Sequence, residues 1–196
     1  MKLFYSTASP YVRKVSACAI ACGLQNRIEK LTTNPWDSPA TLLAHNPLSK
    51  VPCLVTDDGV ALFDSPVICE YLDHIGGGAL FPPPGAPRWR ALKLQAIGDG
   101  ILDAAVVRRQ EGLRPDEEAR TAVMARQHGS VTRALDLLER DPPLDHLDIG
   151  TITVACALGY LDFRFAHEDW RVVRPTLEQW FARMEQRPEI ADTKPS

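Results

Sequence analysis

Residues 76–85 read Gly76-Gly77-Gly78-Ala79-Leu80-Phe81-Pro82-Pro83-Pro84-Gly85, and no regular element can run through them. Glycine loses the most backbone freedom on ordering, and proline removes the amide donor that a helix or a sheet needs. Strand and helix signals alternate before this break. After it the strand signals stop and helical periodicity runs to the end. The chain therefore reads as an α/β domain over 1–78, a linker over 79–87 and an all-helical domain over 88–196. Its 196 residues are enough to bury a core in each half.

In the first half, "KLFY" reads as a short strand. "PYVRKVSACAIACG" reads as a helix with Val12, Val15, Ala19 and Ile20 on one face and Gly23 ending it. "NRIEKLTT" reads as a second strand and "SPATLLAHN" as a short helical turn. "PCLVT" and "VALF" flank Asp57-Asp58-Gly59, a hairpin signal, and "SPVICEYLDHI" closes the half with an apolar stripe. The order βαβ, helical turn, ββα predicts a small mixed sheet covered by helices. The expected helices of the second half are 88–111, 115–139, 149–163 and 175–186.

Several function classes drop out. The segments on the two sides of position 82 carry net charges of −1 and −2, so no basic stripe is present to displace counterions from nucleic acid. No apolar run approaches the roughly 20 residues of a membrane span, and the N-terminus lacks a signal peptide's apolar core, so a cytoplasmic location is expected. Cys18, Cys22, Cys53, Cys69 and Cys156 follow no metal or disulfide spacing, and no two histidines stand three or four apart; no metal site is expected.

"VPCLV", Val51 to Val55, begins like a buried strand, yet its second residue cannot donate to a sheet ladder. A cis Val51–Pro52 bond would explain the choice, turning the chain and leaving the Val51 amide and carbonyl facing outward for the backbone of a ligand. Two Ser-Pro pairs, Ser9-Pro10 and Ser65-Pro66, open helices on either side of this segment. Serine is a favoured N-cap and proline a favoured first helical residue, so each pair reads first as good capping. Each helix start also offers free amides and positive dipole character to an anion. Asp64 sets a carboxylate beside the second start. Together these groups suit a zwitterion on Asp64 and Ser65, a peptide-like middle on Val51 and an ionisable atom at Ser9.

A ligand of that description is glutathione, and the sequence resembles the glutathione S-transferase family: a thioredoxin-like domain followed by a helical domain. The resemblance rests on "SPYVRKV", "NPLSKVPCLV", "FDSPVICEYL" and "GTITVACALGYLDF", in that order and spacing over nearly the whole chain. It implies that Val51, before a cis Pro52, pairs with the cysteinyl backbone of glutathione. It also implies that Asp64 and Ser65 hold the γ-glutamyl group and that Lys50 lies near the glycine end. Ser9 matches the position that activates the thiol in serine-type members, with Thr7 and Tyr5 as the alternatives. Glutathione is then a co-substrate rather than a tightly bound cofactor, the second substrate is an electrophilic small molecule, and the protein is a homodimer.

Two other activities fit the same residues: glutathione-dependent reduction of a disulfide or peroxide, and a non-catalytic member that binds a protein partner. The helical half departs from the family pattern by placing Asp148 at a cap and Thr151 three residues on, the same reciprocal geometry with the two residue types exchanged.

Overall fold

The structure is a computed structural model that describes residues 1–195, so the last position of the expected 88–196 domain lies outside the described residues. Two compact units are present, one made of residues 1–88 with the segment from Pro188 onward, the other of residues 89–187.

The first unit contains β1 (Lys2–Tyr5), α1 (Pro10–Ala21), β2 (Glu29–Thr32), α2 (Ala40–Leu43), β3 (Cys53–Val55), β4 (Ala61–Leu62) and α3 (Ser65–Ile75). The sheet order is β2-β1-β3-β4, with β2 parallel to β1 and both remaining pairs antiparallel. This is the expected thioredoxin-like arrangement. The register places Phe4 opposite Cys53 and Leu54 opposite Leu62. The end of β1, the start of β3 and the end of β4 therefore share one edge of the sheet, and the three segments that follow or precede them emerge together.

The strands are shorter than the sequence pattern suggests. The expected second strand keeps only Glu29–Thr32, because Gln25–Arg27 form a 3-10 turn. β3 starts at Cys53, since Pro52 has no amide to join the ladder. The hairpin turn forms where expected: Thr56 and Val60 pair through backbone and hydroxyl, and Gly59 adopts φ +85°.

α1 buries Val12, Val15 and Ala19 as its period predicts, and unexpectedly also Arg13 and Lys14. Arg13 Nη2 donates to the Ile190 carbonyl at 3.1 Å and so fastens the short α8 (Pro188–Ala191) to α1. That last helix was missed because four residues carry no measurable period. Gly76 ends α3 where a Cβ would lie 2.6 Å from Cys22 Cβ, so only glycine lets the ends of α1 and α3 approach this closely. Asp73, buried on α3, accepts from the amides of Leu80 at 2.6 Å and Phe81 at 3.2 Å. A single carboxylate thus orders the glycine-rich stretch that composition marks as a break.

Beyond it run α4 (Ala86–Glu111), α5 (Glu118–Arg140), α6 (Ile149–Phe165) and α7 (Pro175–Met184). The boundaries differ from expectation by up to three residues, the usual uncertainty of frayed helix ends. α6 is the axis of the second unit, with 13 of its 17 residues buried. A helix apolar all round belongs inside a core, and each fully buried Ile, Val or Leu contributes about 1.5–3 kcal/mol. α4 packs on it through glycines: a Cβ on Gly98 would meet Thr153 at 2.8 Å, and one on Gly150 would meet Ala91 at 2.5 Å. The reciprocal cap forms as expected: Thr151 N donates to Asp148 Oδ1 at 2.8 Å and Asp148 N to Thr151 Oγ1 at 2.9 Å. His146 Nε2 adds a contact to Asp148 at 2.8 Å. No helix among the described residues is long and apolar enough to cross a membrane.

Candidate functional site

The shared edge of the sheet carries three segments: the β1–α1 loop with Ser9, the loop into β3 with Lys50, Val51 and Pro52, and the β4–α3 junction with Asp64 and Ser65. One apolar cluster holds the three in place. It joins Phe4, Val12, Leu42, Val51 and Cys53, with Tyr5 and Phe63 packed against it. Val12 lies one turn into the helix that Ser9 starts, and Phe63 directly precedes Asp64. The packing of this cluster therefore fixes the spacing of the polar groups around it.

Ser9 is the N-cap of α1. Its backbone is extended (φ −82°, ψ 120°), its carbonyl accepts from Arg13 N, and its Oγ accepts from Val12 N at 3.3 Å. With the oxygen engaged as acceptor, the hydroxyl proton remains available to a neighbouring anion. Of the two alternatives, Tyr5 packs against the apolar cluster with Lys30 Nζ 5.0 Å from its ring centre, and Thr7 is exposed in the loop.

The Val51–Pro52 bond is cis, as the sequence predicts, and both residues are buried. The Val51 amide and carbonyl make no backbone hydrogen bond to another described residue. Lys50 is exposed. Sequence reasoning missed Asn46, which shapes this loop from within. It is 1% exposed, donates from Nδ2 to the Lys50 carbonyl at 2.9 Å, and accepts from Leu48 N at 3.0 Å. The Asn46-Pro47 dipeptide was the available signal, because asparagine before proline favours a turn held by its own side chain.

The second helix start differs from expectation by one residue. Asp64 is the N-cap of α3, with extended φ and ψ and its carbonyl accepting from Ile68 N at 3.1 Å. Ser65 is already helical and Pro66 takes the second helical position. The Asp64 side chain makes no capping bond and is exposed, whereas Ser65 is 2% exposed. The Phe63–Asp64 peptide bond is also cis.

Burial pushes the thiol of Cys53, next to Pro52, up to about 11. At the other end of α1 from Ser9, burial with Asp73 and Cys69 nearby does the same to Cys22. Neither is a thiolate at neutral pH.

Residues 8–75 match the family description "Glutathione S-transferase, N-terminal domain", and residues 121–183 match "Glutathione S-transferase, C-terminal domain". The chain belongs to the glutathione S-transferase family. This transferase-family chain is 36% identical over 201 residues to the uncharacterized GST-like protein YibF of Escherichia coli K12, covering 100% of itself and 98% of that protein. It is also similar to the crystal structure of a glutathione transferase family member from Pseudomonas fluorescens Pf-5 with bound glutathione. That match has 42% identity and a TM-score of 0.92, covering 100% of this chain and 98% of the other. A second structure from the same bacterium, with bound S-(propanoic acid)-glutathione, matches at 40% identity and a TM-score of 0.88, covering both chains fully.

Proposed function

We propose that this chain is a serine-type glutathione transferase, which binds glutathione, stabilises its thiolate and directs it to an electrophilic small molecule. The unpaired Val51 backbone carries the reading. It lies at the same sheet edge as the Ser9 cap and the Asp64–Ser65 helix start, in a member of a family whose relatives hold glutathione.

The roles follow from the groups present. Val51 pairs with the cysteinyl backbone of glutathione, whose amide and carbonyl replace the missing ladder partners. Asp64, with no bond of its own, takes the α-ammonium of the γ-glutamyl group, and the amides at the start of α3, beginning at Ser65, take its carboxylate. Pro52 keeps Val51 out of the ladder, and Lys50 sits by the glycine carboxylate. Ser9 donates its hydroxyl proton to the sulfur. A free cysteine thiol has a pKa near 8.5, and a hydrogen bond to the charged form lowers it. The thiolate then forms a carbon–sulfur bond, and the displaced group leaves with the electron pair.

Serine at position 9 and the protonated Cys53 favour conjugation over disulfide exchange, because neither can form a mixed disulfide readily. Glutathione is a co-substrate on this reading and no cofactor is held tightly. The protein is a cytoplasmic homodimer, which light scattering tests against the monomer mass of 21.7 kDa. Calorimetry with glutathione, followed by a thiol-consumption screen across electrophiles, disulfides and peroxides, tests the function. An absence of glutathione binding refutes it, and consumption with disulfides or peroxides alone replaces conjugation by reduction.

A further inference from the structure

α5, α6 and the chain that follows α6 enclose a cavity of about 300 Å³, made wholly of residues of the second unit. Val131 and Leu135 of α5, Leu161 and Phe165 of α6, and Trp170 form its apolar walls, and each of the five is 7% exposed or less. The guanidiniums of Arg108 and Arg171 lie 4.3 and 4.4 Å from the centres of the Phe165 and Trp170 rings. Each guanidinium is fixed in turn by a carboxylate, Glu168 for Arg108 and Asp162 for Arg171. The two aromatic walls are therefore held in place without a ligand.

Four titratable side chains also line the cavity: His128, Glu168, Asp169 and Arg174. Arg174 is neutralised by Asp136, to which its Nε and Nη2 donate at 2.9 and 2.6 Å. Glu168 is neutralised by Arg108 through Oε1, with His167 Nε2 at 3.5 Å from the same oxygen. Its other oxygen, Oε2, accepts no hydrogen bond from the described residues; His128 Nδ1 stands 3.4 Å away and attracts it only when protonated. Asp169 is exposed, accepts from Arg171 N through Oδ1 at 3.1 Å, and forms no ion pair with a described cation. With both histidines neutral, the lining and its ion-pair partners keep one surplus negative charge.

The fold alone does not account for that charge. Carboxylates just beyond the end of α6 face the negative end of its dipole, which disfavours them. Arg108 compensates Glu168, but the turn that Asp169 makes with Arg171 N needs only an oxygen, which asparagine would supply. The volume is also unexplained, since apolar walls around an empty space forgo dispersion contacts and offer water few partners. A cavity of about 150 Å³ already holds benzene, so one ring with a short chain fits here. The charged end of such a ligand is cationic: an ammonium meets Glu168 Oε2 and the Asp169 carboxylate, whereas a carboxylate would meet like charge.

We propose that this cavity is a binding site for a small primary amine with an apolar body, its ammonium held by Glu168 and Asp169 and its body lodged between α5 and α6. The site goes beyond the glutathione reading and stands independently of it.

Calorimetry at about pH 8, where histidine is neutral, with 2-phenylethylamine, 2-phenylethanol and 3-phenylpropanoate and without glutathione, tests the site. The amine should bind about tenfold or more tightly than the alcohol, which has the same body without the charge, and the acid more weakly than either. Asp169→Asn keeps the oxygen that accepts from Arg171 N and removes the charge. It should erase most of the amine's advantage while leaving alcohol binding and urea unfolding unchanged. Leu135→Phe, which fills the cavity, should weaken amine and alcohol alike. Amide chemical shifts of the wild-type protein locate the ligand even should that variant fail to fold: they should move within 128–135 and 161–174. No binding of the amine, equal affinities for amine and alcohol, an unchanged preference in Asp169→Asn, wild-type amine affinity in a folded Leu135→Phe, or shifts confined to other residues overturns the proposal.

Discussion

Asn46 donates from its buried amide to the carbonyl of Lys50 at 2.9 Å, four residues away, and so shapes the loop that delivers Val51. Removing it would leave the Leu48 amide and the Lys50 carbonyl without their partner in a part-buried setting. Each lost bond of this kind costs about 0.5–1.5 kcal/mol. Asn46→Ala is expected to lower stability by that order in urea unfolding. It should also weaken glutathione binding about tenfold or more in calorimetry, although Asn46 itself touches no part of the ligand. Unchanged affinity with reduced stability would show that Val51 keeps its place without the loop.

Asp64 presents the opposite case. Its side chain caps nothing and is exposed, so the fold gains little from the carboxylate. Asp64→Ala is expected to unfold at nearly the wild-type urea concentration. Losing a charge-assisted contact to the ligand's ammonium costs about 1.5–3 kcal/mol, roughly ten- to a hundredfold in affinity. Calorimetry giving equal affinities for the two proteins would remove Asp64 from the ligand.

The extent to which the sequence foretells this arrangement depends on the range of each signal. Val51-Pro52, Ser9-Pro10 and the Asp148/Thr151 cap act within four residues, so their residue types carry the geometry. The break at 76–85 is also local: among the described residues every strand lies before it and only helices follow. Asn46 was legible only as a turn former, because its burial comes from the fold around it. Arg13 gripping the Ile190 carbonyl depends on a partner that tertiary packing selects. Asp64 rather than Ser65 became the cap because the helix began one residue early, a shift within the ordinary uncertainty of helix ends.

Glu139, near the end of α5, closes the start of α7 by accepting from Thr176 N at 3.1 Å and Leu177 N at 2.8 Å. Slight burial pushes its carboxyl up, but the Leu177 and Thr176 amides and the nearby Arg174 outweigh that and hold it below its usual 4.5. A carboxylate that binds its proton less readily in the folded state stabilises at pH above the unfolded value, and the contribution fades as pH falls through the folded one. Wild type should therefore lose more stability between pH 6 and pH 3 than Glu139→Gln. At pH 7 the variant should be less stable by about 0.5–2 kcal/mol, the range for a lost helix cap, toward the lower end because the group is largely solvated. Urea unfolding at both pH values measures the difference, and parallel pH profiles would contradict it.

Ser9 has two tasks that one substitution separates. Its oxygen accepts from Val12 N and caps α1, which leaves its hydroxyl proton for the proposed thiolate. Ser9→Ala removes the cap, worth about 1 kcal/mol, and leaves Val51, Asp64 and Ser65 to bind glutathione with nearly the wild-type affinity. What changes is the sulfur. A hydrogen bond to a charged group contributes about 1.5–3 kcal/mol, and 1.36 kcal/mol corresponds to one pKa unit, so the bound thiol should titrate roughly one to two units higher. A raised thiol pKa lowers the thiolate fraction at neutral pH and matters less as the solution becomes alkaline. The rate deficit should accordingly be largest near pH 6–7 and shrink toward pH 9. Ser9→Thr, which keeps both hydroxyl and cap, should stay close to wild type in stability and titration. Ultraviolet absorbance of the bound thiolate followed against pH reads the shift directly. A titration in Ser9→Ala that coincides with wild type would take the role from Ser9 and pass it to Thr7 or Tyr5.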